Sequence, residues 1–380
     1  MIINELAGRD RLMKKAVILG AGPGGLACAA MLKSRGVSVH ILEKETTLCP
    51  VWRRHYDRLH LHTDKSHSSL PGLPMPANFP KYPSRLQVIE YLEAYAKHHG
   101  LQPEFGCEVE RITRKGEWIV RTSTGEKSAD MVVVAMGTAS FPYQPNWPGL
   151  DGFKGKILHS SQYRNPDSYK GKRVLVVGFG NSGGEIALDL ANAGILPSLS
   201  VRGPVNIVPR DILGIPILTL TILQQPLPYK LADLINWPVL RLCLGDTKKL
   251  GLQQAGKGPM AQVVEDGKVP LLDIGTLRAL REGSIELRPG IEQIDGPMVQ
   301  FADGQQEEFD TMILATGYRP DLRNLVPDFT HLLDENGVPK KCGADSGEDA
   351  LYFCSYRVAT TGQIRQIGIE AQEIARAAAG

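Results

Sequence analysis

The sequence predicts an α/β fold made of two nested dinucleotide-binding, Rossmann-like domains, and three observations within its 380 residues predict it. An apolar run, Lys15–Leu19, leads straight into a glycine turn with Gly20, Gly22 and Gly25 at the three positions of a dinucleotide fingerprint. A second β-branched run, beginning at Val174, ends in Gly178, Gly180 and Gly183 with the same spacing. Two segments of one form, MVVVAMG ending at Gly137 and FDTMILATG ending at Gly317, look like crossings between the two units. The expected layout is a first domain from residues 1–150 and 306–380, with a second domain, 151–305, inserted between them. The proline-rich connector Phe141–Pro148 is the natural boundary.

In the first turn, Gly20 permits the sharp bend, Gly22 lets backbone approach a pyrophosphate, and Gly25 lets the helix lie close to the strand. Gly24 belongs to the same turn. The helix is expected from Gly24 to Ser34, with Leu26, Ala29, Ala30 and Leu32 inward and Gly36 ending it. Val37–Leu42 is the next strand, closed by Glu43, where an acid hydrogen-bonds ribose hydroxyls. An N-terminal turn followed by an acid suits FAD, and Lys44, Trp52 and Gly137 are placed beside the same nucleotide. Cys49–Lys81 is irregular and carries His55, His60, His62 and His67, whose spacing supports no clean ligand set, so no metal site is expected. Ser84 caps a helix through His98, with Leu86, Ile89, Leu92 and Tyr95 on its core face. Phe105–Val134 alternates as a small β-meander returning to the parallel sheet.

The second unit repeats the pattern with one change of charge. Its second strand, Leu199–Val201, ends at Arg202, so the position matching Glu43 is basic. A carboxylate would repel a 2′-phosphate, whereas a guanidinium binds it bidentately, which selects NADPH. Asn181 and Ser182 sit in this turn, and Arg210 is a candidate second phosphate contact. Val205–Gly256 is apolar and broken by prolines. It is expected to pack on the second domain and wall part of a substrate channel, with peripheral membrane contact as the alternative. Val269–Leu287 is periodic again. Gly362–Ala379 is a helix whose N-terminus faces an anionic group.

Composition narrows the class. Lys+Arg 43 against Asp+Glu 41 gives no concentrated basic face, which argues against nucleic acid as partner. The six cysteines form no paired motif and read as buried small residues in a reducing, cytoplasmic setting. The N-terminus has no apolar signal core. Ile212–Tyr229 is uncharged but interrupted by Pro216, Pro226 and Pro228, so no transmembrane segment is expected.

Phe153, Gly155, His159 and Tyr163 reproduce the F-x-G-x₃-H-x₃-Y fingerprint of flavin-containing monooxygenases, and ATGY at Ala315–Tyr318 resembles that family's second linker motif. From about residue 16 to 320 the chain is most similar to the YUCCA-type members, in YDRLHLH (Tyr56–His62), in Asn78–Ala96, in Gly178–Asn192 and in Val201–Gly214. The resemblance implies FAD and NADPH as cofactors, O₂ and a small molecule as reactants, and a monomer or homodimer. It implies that a flavin C4a-(hydro)peroxide oxygenates the substrate, such as an aromatic 2-oxo acid of the indole-3-pyruvate type undergoing oxidative decarboxylation. N- or S-oxygenation is the alternative. An NADPH-dependent flavoprotein reductase and a redox-sensing flavoprotein without turnover are the others. By the same resemblance His62 and Lys65 are the catalytic candidates at the flavin–nicotinamide junction, and His159 and Gly317 lie near the cofactors. His62 aligns where many N- and S-oxygenating members carry asparagine. The family's Gly-Gly ahead of Trp52 is replaced by Cys49-Pro50-Val51.

Overall fold

β1 (Lys15–Leu19) is the central strand of a parallel five-stranded sheet, and four of its five residues are buried. A strand covered on both faces reads as one apolar run rather than as an alternation. The computed structural model describes residues 14–139 and 141–379, so the N-terminal stretch read for a signal core lies, up to Met13, outside the described residues.

α1 (Pro23–Lys33) crosses from β1 to β2 (Ser38–Glu43), which pairs with β1 from Lys15↔Ser38 to Leu19↔Leu42. α2 (Pro50–Arg54) follows Cys49, whose backbone is left-handed, φ 54°. α3 (Arg85–His98) starts at the predicted Ser84, whose side chain forms a reciprocal capping box with Gln87. One expectation fails here: Leu86 is 64% exposed. A strict three-residue spacing drifts by about 60° per step around a 3.6-residue helix, so Leu86 leaves the face that Ile89 and Leu92 hold. β3 (Glu104–Phe105) pairs beside β2 at the sheet edge. β4 (Val109–Lys115), β5 (Glu117–Thr122) and β6 (Gly125–Ala129) then form the antiparallel meander, and β7 (Met131–Val134) returns to lie beside β1.

The second unit repeats this plan. β8 (Lys156–His159), β9 (Val174–Val177), α4 (Asn181–Asn192) and β10 (Ser198–Ser200) precede an insert. The insert holds β11 (Ile207–Pro209), the small hairpin β12 (Asp211–Ile212) and β13 (Ile215–Pro216), then α5 (Ile217–Leu223), α6 (Tyr229–Leu244), α7 (Pro259–Asp266) and β14 (Leu271–Asp273). α8 (Thr276–Arg281) and β15 (Glu286–Arg288) resume the sheet. β16 (Ile291–Asp295), β17 (Met298–Phe301) and β18 (Gln306–Glu308) form a second antiparallel meander, followed by β19 (Thr311–Leu314). β20 (Leu351–Phe353) and α9 (Gln363–Ala379) close the chain.

Strand order shows the duplication directly. The first sheet runs β20-β7-β1-β2-β3 and the second β8-β19-β9-β10-β15, each with its meander inserted before the strand that returns beside the centre. β19 pairs with both β8 and β9, so it belongs to the second sheet. The return to the first domain therefore falls after Gly317, later than the boundary expected at residue 306. Helices α1, α3 and α9 cover one face of the first sheet, and the meander with the Leu322–Leu333 segment covers the other. Five of the six cysteines are buried as expected, but Cys243 on α6 is exposed.

Candidate functional site

Each glycine turn stands at the carboxyl end of its sheet's central strand, the end where open α/β sheets bind ligands. In the first turn Gly20 N donates to Leu42 O at 2.8 Å, and in the second Gly178 N donates to Ser200 O at 3.0 Å. The third glycine of each turn has no room for a side chain: a Cβ on Gly25 would lie 1.8 Å from Gly20 O, and one on Gly183 would lie 1.9 Å from Gly178 O. The middle glycines, Gly22 and Gly180, differ in kind. A Cβ there meets nothing within 4 Å, so these positions face open space that a pyrophosphate would fill.

A cavity of about 470 Å³ opens on the first turn, within the roughly 300–1,000 Å³ of ligand clefts. Gly20, Gly22 and Gly24 line its floor, and Glu43, Lys44, Trp52 and Gly137 line its walls. Glu43 is 6% exposed, and its carboxylate accepts from Ala21 N at 2.8 Å and Glu45 N at 3.0 Å, which fixes it at the end of β2 against the turn. Ser355 and Gln363 are among the lining residues that escaped the sequence reading. Ser355 has a left-handed backbone, φ 76°, and its buried Oγ has no hydrogen-bond partner among the described residues. Gln363 opens α9 at the same wall. An open glycine cradle, an acid at the ribose position and an unanswered buried hydroxyl together fit FAD.

Around the second turn the register refines the position of Arg202. Leu42 and Ser200 are structural counterparts, so Val201 occupies the place of Glu43 and Arg202 stands one residue further out. Its exposed guanidinium makes no hydrogen bond or ion pair with another described residue. Arg210 is engaged elsewhere, 4.1 Å from the Tyr82 ring and 3.5 Å from Asp211. Asn181 Oδ1 accepts from Leu272 N at 2.7 Å, tying the turn to β14, and Ser182 faces the phenol of Tyr56.

The linker fingerprint acts as a brace between segments. His159 is 8% exposed, with Nε2 3.0 Å from Gly317 O, while Nδ1 accepts from Ser161 N at 3.2 Å. An Nδ1 that accepts leaves the proton on Nε2, and burial lowers the ring's pKa. Tyr163 is fully buried and donates to Asp189 on α4 at 2.8 Å. Both residues thus lock the linkers across the second sheet.

His62 is one of several residues that join the two domains, alongside Arg58, which pairs with Asp189, and Lys81, which pairs with Asp211. The His62 Nε2 hydrogen-bonds Oε1 of Glu185, a residue one turn into α4 that is 3% exposed and that the sequence reading missed. The available signal was an acid just ahead of the apolar run Ile186–Leu188, four residues before a second acid, Asp189, on the same helix face. Lys65 is not part of this junction. Its ammonium donates to the carbonyls of Ala77 and Phe79 and lines neither cavity, so it tethers a loop. A smaller chamber of about 120 Å³ begins at His62 and Thr63, walled by Leu218 of α5, Leu240 of α6 and Val263 of α7. The segment 358–363 separates the spaces: Val358 and Gln363 line the large cavity, and Ala359, Thr360 and Gly362 line the small one.

Cys49 and Cys107 line the large cavity, but burial pushes the Cys49 thiol up to about 12, so it stays protonated at neutral pH. Among the described residues no group of three or more His, Cys, Asp or Glu is arranged to hold a metal ion, and no helix is long and apolar enough to cross a membrane.

Residues 17–207 match the pyridine nucleotide-disulphide oxidoreductase family. The chain is 40% identical to indole-3-pyruvate monooxygenase YUCCA1 of Oryza sativa subsp. japonica, over 92% of this chain and 88% of that protein. It is 41% identical to indole-3-pyruvate monooxygenase YUCCA6 of Arabidopsis thaliana, over 85% and 80%. In fold it superposes on the flavin-containing monooxygenase of Stenotrophomonas maltophilia with a TM-score of 0.72 at 24% identity, covering 96% of this chain and 98% of that one. At these identities and coverages the chain belongs to the YUCCA family of flavin monooxygenases, FAD- and NADPH-dependent oxidoreductases.

Proposed function

We propose that the enzyme decarboxylates an aromatic 2-oxo acid of the indole-3-pyruvate type oxidatively. The reaction consumes one O₂ and one NADPH with a proton. It yields the acid shortened by one carbon, CO₂, NADP⁺ and water. The observation that carries this reading is the 40% identity, across 92% of the chain, to a protein named for that substrate. FAD supplies the activation of oxygen and NADPH the reducing equivalents. The protein holds, orients and keeps dry. Gly20, Gly22, Gly25 and Glu43 seat the first nucleotide, and Gly178, Gly180, Gly183 and Arg202 seat the second. His62 would be the catalytic group: with Nε2 donating to Glu185, its Nδ1 is left to accept a proton, and the residue lines the small chamber. The apolar walls of the small chamber, Leu218, Leu240 and Val263, exclude water and suit an aromatic ring. The unpaired cysteines support a cytoplasmic location.

The test offers the FAD-loaded enzyme indole-3-pyruvate, an aliphatic 2-oxo acid, a tertiary amine and an aryl sulfide in turn, with NADPH consumption and product measured together. The aromatic 2-oxo acid is expected to give CO₂ and NADP⁺ in equal amounts. Stoichiometric sulfoxide or N-oxide, with no CO₂ from the 2-oxo acids, would overturn the reading.

A further inference from the structure

The insert between β10 and β15 presents a surface that oxygenation does not use. On α6 only Ala232 is buried. Ala232, Asn236 and Leu240 recur every fourth residue on the inner face, and Asn236 and Leu240 line the small chamber. The opposite face is apolar and open. Leu231, Ile235 and Leu242 are 43%, 51% and 85% exposed and follow helical spacing, with Leu234 at 69% and Trp237 at 59% beside them. Leu223 at the end of α5, 72% exposed, and Leu227 in the elbow extend the patch. A monomer in water rarely leaves so many large side chains together.

The charges on this helix select the occupant. Its one acid, Asp233, is turned inward and accepts from Met260 N and Ala261 N at 2.9 Å, capping α7. The outer face carries cations alone, one near each end. Lys230 is 75% exposed and 3.7 Å from Glu265 of α7, and Arg241 lies 5.5 Å from the Trp237 ring. An apolar helix face flanked by basic side chains, with a tryptophan among them, is the form that lies in a lipid interface. A second copy fits poorly. Antiparallel packing of α6 on itself sets Lys230 opposite Arg241, and parallel packing sets each cation opposite its own kind. At 16 residues the helix is also short of the roughly 20 needed to span a bilayer.

We propose that α6 is a peripheral docking surface for an anionic lipid bilayer, lying in its interface without crossing it. The back of the same helix walls the small chamber, so the chamber would lie directly beneath the membrane contact. The test floats the full-length, FAD-loaded enzyme with vesicles of equal parts phosphatidylcholine and phosphatidylserine, and with vesicles of phosphatidylcholine alone. Co-flotation is expected with the anionic vesicles and is weaker with the neutral ones. Leu234→Ser with Leu242→Ser should lower binding by roughly tenfold or more. Lys230→Gln and Arg241→Gln should lower it on anionic vesicles by roughly fivefold for each charge removed. All variants should keep the wild-type rate of NADPH oxidation without lipid, which shows that they fold. A wild-type enzyme that stays unbound, or binding that the serine pair leaves unchanged, overturns the proposal. A dimer seen by sedimentation velocity that the serine pair dissociates, without flotation, assigns the face to a second copy instead.

Discussion

Arg202 stands one residue beyond the structural counterpart of Glu43, where its guanidinium would suit a 2′-phosphate as a carboxylate at the strand end would suit ribose hydroxyls. Arg202→Gln should therefore raise the KM for NADPH by roughly 10–100-fold and leave kcat within about twofold, while the KM for NADH barely moves. Steady-state kinetics with both nucleotides checks this, and an equal loss for both would remove Arg202 from the phosphate site. At the domain junction, Glu185→Ala strips His62 of its partner, and Glu185→Gln keeps a neutral one. The share of NADPH electrons released as H₂O₂ should rise several-fold in the alanine variant and less in the glutamine variant. The dissociation constant of NADP⁺, read by equilibrium dialysis, should weaken in the same order. Wild-type values in both variants would make the contact structural only. His55 adds a pH dependence. Burial lowers its pKa from 6.5 to about 4, so between those values the unfolded chain binds more protons than the folded one. The stability this residue contributes is full above pH 6.5 and is lost as pH falls toward 4. Thermal unfolding of His55→Gln should lack that part of the acid-side decline.

At the scale of elements, the two glycine turns separate space for a nucleotide from space for packing. Gly22→Ala should fold with nearly wild-type thermal stability and lose FAD affinity, because its Cβ enters the open cradle. Gly25→Ala should cost about 3 kcal/mol or more, because its Cβ meets a carbonyl oxygen inside the turn. Thermal melts and the FAD content of the purified variants distinguish the two effects. These turns were legible in the sequence because local sterics impose both the glycines and the apolar strands before them. β1, α1, Ser84 as a cap and the first meander were readable for the same reason. What was not legible depends on partners distant in sequence. FDTMILATG was recognised as a repeat of MVVVAMG, yet only pairing with β8 and β9 shows that it belongs to the second sheet. The helices of 205–256 were not legible, since α6 turns Asp233 and Asn236 inward and leaves Leu231, Leu234 and Ile235 exposed, the reverse of the usual pattern. Glu185 stands out only through its contact with His62, 123 residues away in the sequence.

The whole molecule is one unit used twice, with strand orders that superimpose and meanders in the same place. Duplication puts two carboxyl-end turns on one chain, and the linkers braced by His159 and Gly317 hold them together. The small chamber is walled by the insert between β10 and β15 together with His62 and Thr63, and 358–363 stands between it and the large cavity. The central claim, that this arrangement delivers one oxygen atom to the carbonyl of an aromatic 2-oxo acid, is tested most directly by isotope. The enzyme is run with indole-3-pyruvate, NADPH and ¹⁸O₂ in the presence of catalase, because free peroxide decarboxylates 2-oxo acids without any enzyme. The account predicts one ¹⁸O in the carboxylate of the product and one product for each NADPH oxidised. A product that disappears when catalase is added, or that carries no label, would contradict it.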